Sequence, residues 1–183
     1  MLYRAGEFEK ADEVYRQLRQ TTWAHQLKSQ VPNEVRFEIF PATGAGKFTQ
    51  ENPDSDWVDI AFDDSAWEAK RAQFLAHQEA EWEKTFYVRR KFNMERIPEN
   101  IYLSAAIHGA ECDVYINGVF IQRIEDSGLE ENGGNKPYHE RLPRNALEAL
   151  VVGDNVLAYR CRKVGKSPRL TLGLTQIHRP PNP

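Results

Sequence analysis

The feature that most limits the fold is a series of short alternating segments running from Trp82 almost to the C-terminus. Phe86, Val88, Arg90 and Phe92 alternate with Tyr87, Arg89 and Lys91. Ile101, Leu103, Ala105 and Ile107 repeat the pattern, as do Cys112, Val114 and Ile116. Val119 and Ile121 continue it after Asn117-Gly118, and two more strands are expected over 156–162 and 170–174. Successive side chains of a strand point to opposite faces, so period-two segments read as half-buried strands. Asn-Gly between two of them marks a two-residue hairpin, whose central residues need positive φ. The gaps are too short for the crossover helices of a parallel sheet. The expected fold is mainly β, an antiparallel β-sandwich of jelly-roll type.

The N-terminal part differs. Phe8, Ala11, Val14, Tyr15 and Leu18 follow i, i+3, i+4 spacing, and no Gly or Pro occurs between Glu7 and Val31. That predicts an amphipathic helix. Trp23, Ala24 and Leu27 form a second short stripe after Thr21-Thr22, which offers an N-cap. This helical extension is expected to pack on a neighbouring domain. Val35, Phe37 and Ile39 give one strand, and PATGAGKFTQENPDSD reads as a loop. Its GAGK is not a phosphate loop, because Phe48 follows Lys47 and no helix pattern comes next. The organisation is therefore a helical extension and linker over 1–50 and a sandwich over 51–183. Between Ser127 and Leu150 lies a long Gly-containing loop, then a short helix capped by Asn145.

With 183 residues, 40% of them apolar, the chain can bury one sizeable core. No apolar run approaches the roughly 18–20 residues that cross a bilayer. A net charge of −3 gives no reason to expect nucleic acid or an anionic membrane as partner. Charge is uneven: Glu51 to Glu83 holds ten acids and two bases, and no acid follows Asp154. The expectation is that these two segments neutralise each other; a polyanion site on the basic tail is the alternative. Cys112 and Cys161 both lie in strand patterns, either as buried thiols or as a disulfide, and the sequence leaves both open.

Four motifs then occur in order: FDDSAW (62–67), WEKTFYVRRKF (82–92), DVYINGVFI (113–121) and LEALVVGDNVLAYR (147–160). Together they resemble the sugar-binding jelly-roll domain of glycoside hydrolase family 2 and the wider galactose-binding-like superfamily. The resemblance covers about residues 56–177. It departs where a Trp-Tyr-Arg strand is spread out here as Phe86-Tyr87-Val88-Arg89. It implies a non-catalytic carbohydrate-binding or accessory domain, with a glycan and the catalytic domain of a parent enzyme as partners. The alternative is a purely structural interdomain module with no ligand. The N-terminus shows no basic segment followed by an apolar one, so a complete chain would be cytoplasmic. A domain excised from a secreted hydrolase would be extracellular or periplasmic. The superfamily also admits a structural calcium, for which Asp126 is a loop acid, although no calcium-loop ligand run is present. No other cofactor is implied.

No catalytic constellation is visible. Asp63 and Asp64 are neighbours in one turn, better suited to satisfying backbone N–H groups than to flanking a glycosidic bond. The five histidines show no metal spacing. Arg89 and Arg90 point to opposite faces, and one of them is expected to pair with an acid such as Asp113. Sugar recognition needs aromatic faces and planar polar groups. The loop residues of that kind are Trp57, Trp67, Tyr138, His139 and Arg141. Of these, Trp57, Tyr138, His139 and Arg141 are the expected ligand-binding residues. For Trp57 an inward place beside Ile60 is the alternative, and for Tyr138 a role in packing the long loop.

Overall fold

The computed structural model describes residues 6–18, 34–42, 44–71, 85–126, 138–165 and 169–179. Along the chain they form α1 (Phe8–Leu18), β1 (Val35–Phe40), β2 (Ala45–Thr49), β3 (Glu68–Arg71), β4 (Thr85–Met94) and β5 (Ile101–His108). There follow β6 (Ala110–Ile116), β7 (Val119–Ile124), β8 (Tyr138–Arg141), α2 (Arg144–Ala149), β9 (Gly153–Lys163) and β10 (Arg169–His178). The strands make an antiparallel β-sandwich. One sheet has the order β1-β10-β5-β8 and the other β3-β2-β4-β9-β6-β7.

The expected hairpin is present: Asn117 and Gly118 join β6 to β7 with φ of 48° and 87°. The Asn117 side chain accepts from Val156 N at 2.7 Å and donates to Asn155 Oδ1 at 2.8 Å, which ties the turn to β9. The core lies between the sheets, where Val88, Phe92, Leu103, Ile107, Val114, Leu157 and Leu172 meet. Cys112 and Cys161 face each other across β6 and β9 and are joined as a disulfide with Cα atoms 4.2 Å apart.

Both arginines of β4 are buried, each 1% exposed. Arg90 points into the inter-sheet core. It donates to the carbonyls of Leu172 at 2.7 Å and Pro41 at 2.8 Å, and lies 4.2 Å from the Phe40 ring centroid. It needs room on β2. A Cβ at Gly46 would sit 2.7 Å from Arg90 Cγ, and one at Gly44 would sit 2.5 Å from Nη2. These close approaches are what the glycines of GAGK serve.

Several expectations need correction. The loop expected over 41–56 contains β2, which pairs with β4, while β1 pairs with β10. The sandwich thus begins at Val35, and the boundary at 50/51 falls inside it. α1 packs on its own sandwich: Phe8 stacks on His178 at 4.6 Å and meets Phe37 edge-on at 6.3 Å. Of its apolar stripe, Phe8 and Ala11 are buried while Val14 is 43% exposed. The second stripe at 23–27 lies outside the described residues. Pro143, not Asn145, holds the N-cap position of α2, and the Asn145 side chain donates to Phe120 O. Among the described residues, Arg160 and Arg162 pair with Asp113 and Glu111, not with acids of the 51–71 stretch.

Candidate functional site

The six-stranded sheet carries a third layer on its outer face. Tyr87, Val156 and Ala158 face outward yet are buried, because the turn-rich segment 50–67 lies over them. Trp57 plugs this layer, 8% exposed, in contact with Trp67, Tyr87 and Tyr115 at ring-centroid distances of 6.3, 5.2 and 5.7 Å. Arg89 organises the segment from below. Its guanidinium donates to Asp64 Oδ2 at 3.0 Å, Asp59 O at 2.9 Å and the Trp57 carbonyl. Burial pushes the Asp64 carboxyl up, but hydrogen bonds from Arg89 and Lys91 outweigh it and hold the carboxyl below its usual value. Asp63 accepts from Ser65 N at 2.9 Å, as expected of a turn acid. The acid partner of the buried arginine is therefore Asp64. Asp113 instead holds the half-exposed Arg123 and Arg160, at 2.7 and 2.5 Å.

Beside this layer runs an open groove of about 690 Å³. Partly buried Phe62 and Trp67 form its apolar side, and Glu51, Asn52, Asp54 and Lys70 lie along it. Tyr87 donates to Asn52 Oδ1 at 2.7 Å, and Lys47 donates to the Trp67 carbonyl at 3.0 Å. The first contact ties Asn52 to β4, and the second holds the C-terminal end of the FDDSAW turn against β2.

The other expected site residues lie on the opposite sheet. Tyr138, His139 and Arg141 belong to β8, at the edge of the four-stranded sheet, where Tyr138 pairs with Ala105. The structure brings His139 and Arg141 to one strand but not to Trp57. His139 Nε2 is 2.7 Å from Arg36 Nη1, and its Nδ1 is 2.8 Å from Ser104 Oγ, which is 2.7 Å from Thr175 Oγ1. Arginine only donates, so Nε2 accepts, and the proton of a neutral imidazole sits on Nδ1 and points to Ser104. Burial, then the Arg36 charge, lowers the His139 pKa, with Glu34 opposing, which keeps the ring neutral near pH 7. A serine nucleophile requires the reverse, an imidazole nitrogen accepting the hydroxyl proton. This chain of contacts is polar scaffolding, not a catalytic dyad.

Asp126 caps a turn, accepting from Gly109 N at 2.9 Å, with His108 Nδ1 at 3.4 Å. Among the described residues no group of three or more His, Cys, Asp or Glu is placed to hold a metal ion.

The whole arrangement can be set against known proteins. Its fold is similar to one segment of several larger glycoside hydrolases. A β-glucuronidase from Bacteroides uniformis superposes with a TM-score of 0.51 and 21% identity, covering 78% of this chain and 18% of that one. A Lactobacillus rhamnosus β-glucuronidase gives 0.51 and 14%, covering 80% of this chain and 29% of that one. A glycosyl hydrolase family 2 member from Bacteroides cellulosilyticus gives 0.50 and 14%, with 81% and 21% covered. The chain spans less than a third of the length of each of these structures. No family model and no curated protein matches the sequence.

The Trp67 groove was only half legible in the sequence. FDDSAW marked the turn, but the strand β2 that completes the groove lay hidden in a Gly-rich stretch. The two adjacent arginines were the available signal, since each needs partners on its own side of the sheet.

Proposed function

We propose that this chain is a non-catalytic accessory domain of a glycoside-hydrolase-like multidomain protein, and that it binds glycan. The supporting observation is that its sandwich matches only one segment of each larger hydrolase. Among the described residues, Asp64 and Asp113 are each held by arginines, and Ser104 faces a donating imidazole; none is poised for hydrolysis. Arg141, exposed on the edge strand β8, offers a planar polar group to sugar hydroxyls. The Cys112–Cys161 disulfide favours an oxidising compartment over a reducing one, in keeping with a secreted parent.

A second reading, a brace with no ligand, draws on exposed apolar side chains at Phe120, Val151 and Val152, the last 65% exposed. The deciding experiment applies the purified chain to a glycan array and to chromogenic glycosides. Saturable binding without hydrolysis is expected. Turnover that survives purification would overturn the non-catalytic assignment. Blank arrays would leave only the brace.

A further inference from the structure

We infer that the groove beside Trp67 is the glycan site and that it takes neutral, hydroxyl-rich oligosaccharides rather than uronic acids; this rests on the carbohydrate-binding reading above. A sugar presents apolar C–H patches ringed by hydroxyls, so its site needs an aromatic platform with hydrogen-bonding groups around it. The groove has that composition. Trp67 is held rigid by stacking on Trp57 at 6.3 Å and by the Phe62 edge at 5.7 Å, so ring orientation is set before a ligand arrives. Asn52 has its oxygen engaged by Tyr87, which leaves its amide NH₂ to donate. Glu51 and Asp54 are exposed acceptors on the rim.

Charge sets the class of sugar. Among the described residues the lining carries three carboxylates, Glu51, Asp54 and Glu68, against the single ammonium of Lys70. Lys70 is already 3.1 Å from Glu68 and 4.8 Å from the Phe48 ring centroid. A uronate carboxylate entering here meets net negative charge with its one cation engaged, whereas a neutral hydroxyl can donate to either rim acid. The sugar named in the β-glucuronidase relatives is thus the one this groove disfavours.

The test is calorimetry, with tryptophan fluorescence as a second readout, on the whole chain. The probes are neutral hexose oligosaccharides, uronic acid oligosaccharides and amino-sugar oligosaccharides, at low and at physiological salt. Neutral chains should bind with little salt dependence, and uronates at least about tenfold more weakly. Trp67→Ala should weaken neutral binding at least about tenfold. Because Trp67 also packs on Trp57, Glu51→Ala and Asp54→Ala serve as rim variants that leave the packing intact, and each should weaken binding measurably. Binding that survives all three variants but is lost in Arg141→Ala would overturn the groove while leaving carbohydrate binding standing. Preference for uronates, or amino-sugar binding that vanishes with salt, would overturn the neutral-sugar assignment. Failure of every glycan would remove the underlying reading as well.

Discussion

Replacing Arg89 with methionine should be the most damaging conservative change in the outer layer. The Arg89 side chain is fully buried, and that of its partner Asp64 is 6% exposed. Methionine fills much of the same volume but removes every donor. Asp64 is then left with Lys91, whose side chain is 58% exposed, and the carbonyls of Trp57 and Asp59 lose their buried donor. Breaking a buried ion pair from one side costs about 3–5 kcal/mol, because the remaining charge stays buried without its partner. In a domain of this size about 1 kcal/mol moves Tm by ~2–4 °C, so a loss of roughly 6–20 °C is expected at pH 7. Thermal and urea denaturation followed by tryptophan fluorescence would measure it, since Trp57 sits in the affected layer. The loss should depend on pH. Asp64 has a lowered folded pKa, so its stabilisation is present above its unfolded value of 3.8 and disappears as pH falls through the folded one. The gap between wild type and Arg89→Met should therefore narrow below about pH 4. Asp64→Leu added to Arg89→Met should recover part of the loss, leaving the carbonyl deficit. A Tm change under about 2 °C at pH 7, or a gap constant with pH, would refute the reasoning.

Other consequences follow from the same contacts. Cys112→Ser with Cys161→Ser opens a loop set by a sequence separation of 49 residues, which chain entropy values at about 4 kcal/mol; guanidinium unfolding with and without reductant should show it. Gly46→Ala puts a methyl against Arg90 Cγ and should destabilise by about 1–3 kcal/mol in urea titration, beyond the effect of an exposed Gly→Ala change. His139 has a lowered folded pKa, so its neutral form stabilises the native state above its unfolded value near 6.5, and stability falls as pH drops toward the folded value. Facing Arg36, Glu34 and Ser104, it should give a Tm that declines between about pH 7 and pH 5, and His139→Gln should flatten that limb. Trp57→Ala should cost about 3–5 kcal/mol and expose Tyr87 to quenchers, as expected of a packing residue.

The sequence by itself determined the elements whose information is local. Period-two alternation gave β4 to β7, β9 and β10, because a strand with one face in a core must alternate. Asn117-Gly118 gave the hairpin, because two adjacent positive φ values leave few other residue choices. Helical spacing gave α1. What the sequence left undecided depends on partners distant in the chain. β2 reads as a loop because Gly44 and Gly46 look like turn residues, and only the Arg90 side chain, more than forty residues on, explains them. Trp57 reads either as a ligand platform or as an inward strand residue, because nothing local announces that segment 50–67 folds over the larger sheet and makes a second small core. Arg89 and Arg90 look alike in sequence, but one closes the outer layer on Asp64 and the other crosses the inner core to Leu172. The Trp67 groove exists because β2, β3 and the FDDSAW turn converge on one edge. Alternation fixes which face a side chain takes; only the packing of distant segments decides whether that face becomes core, cover or open surface.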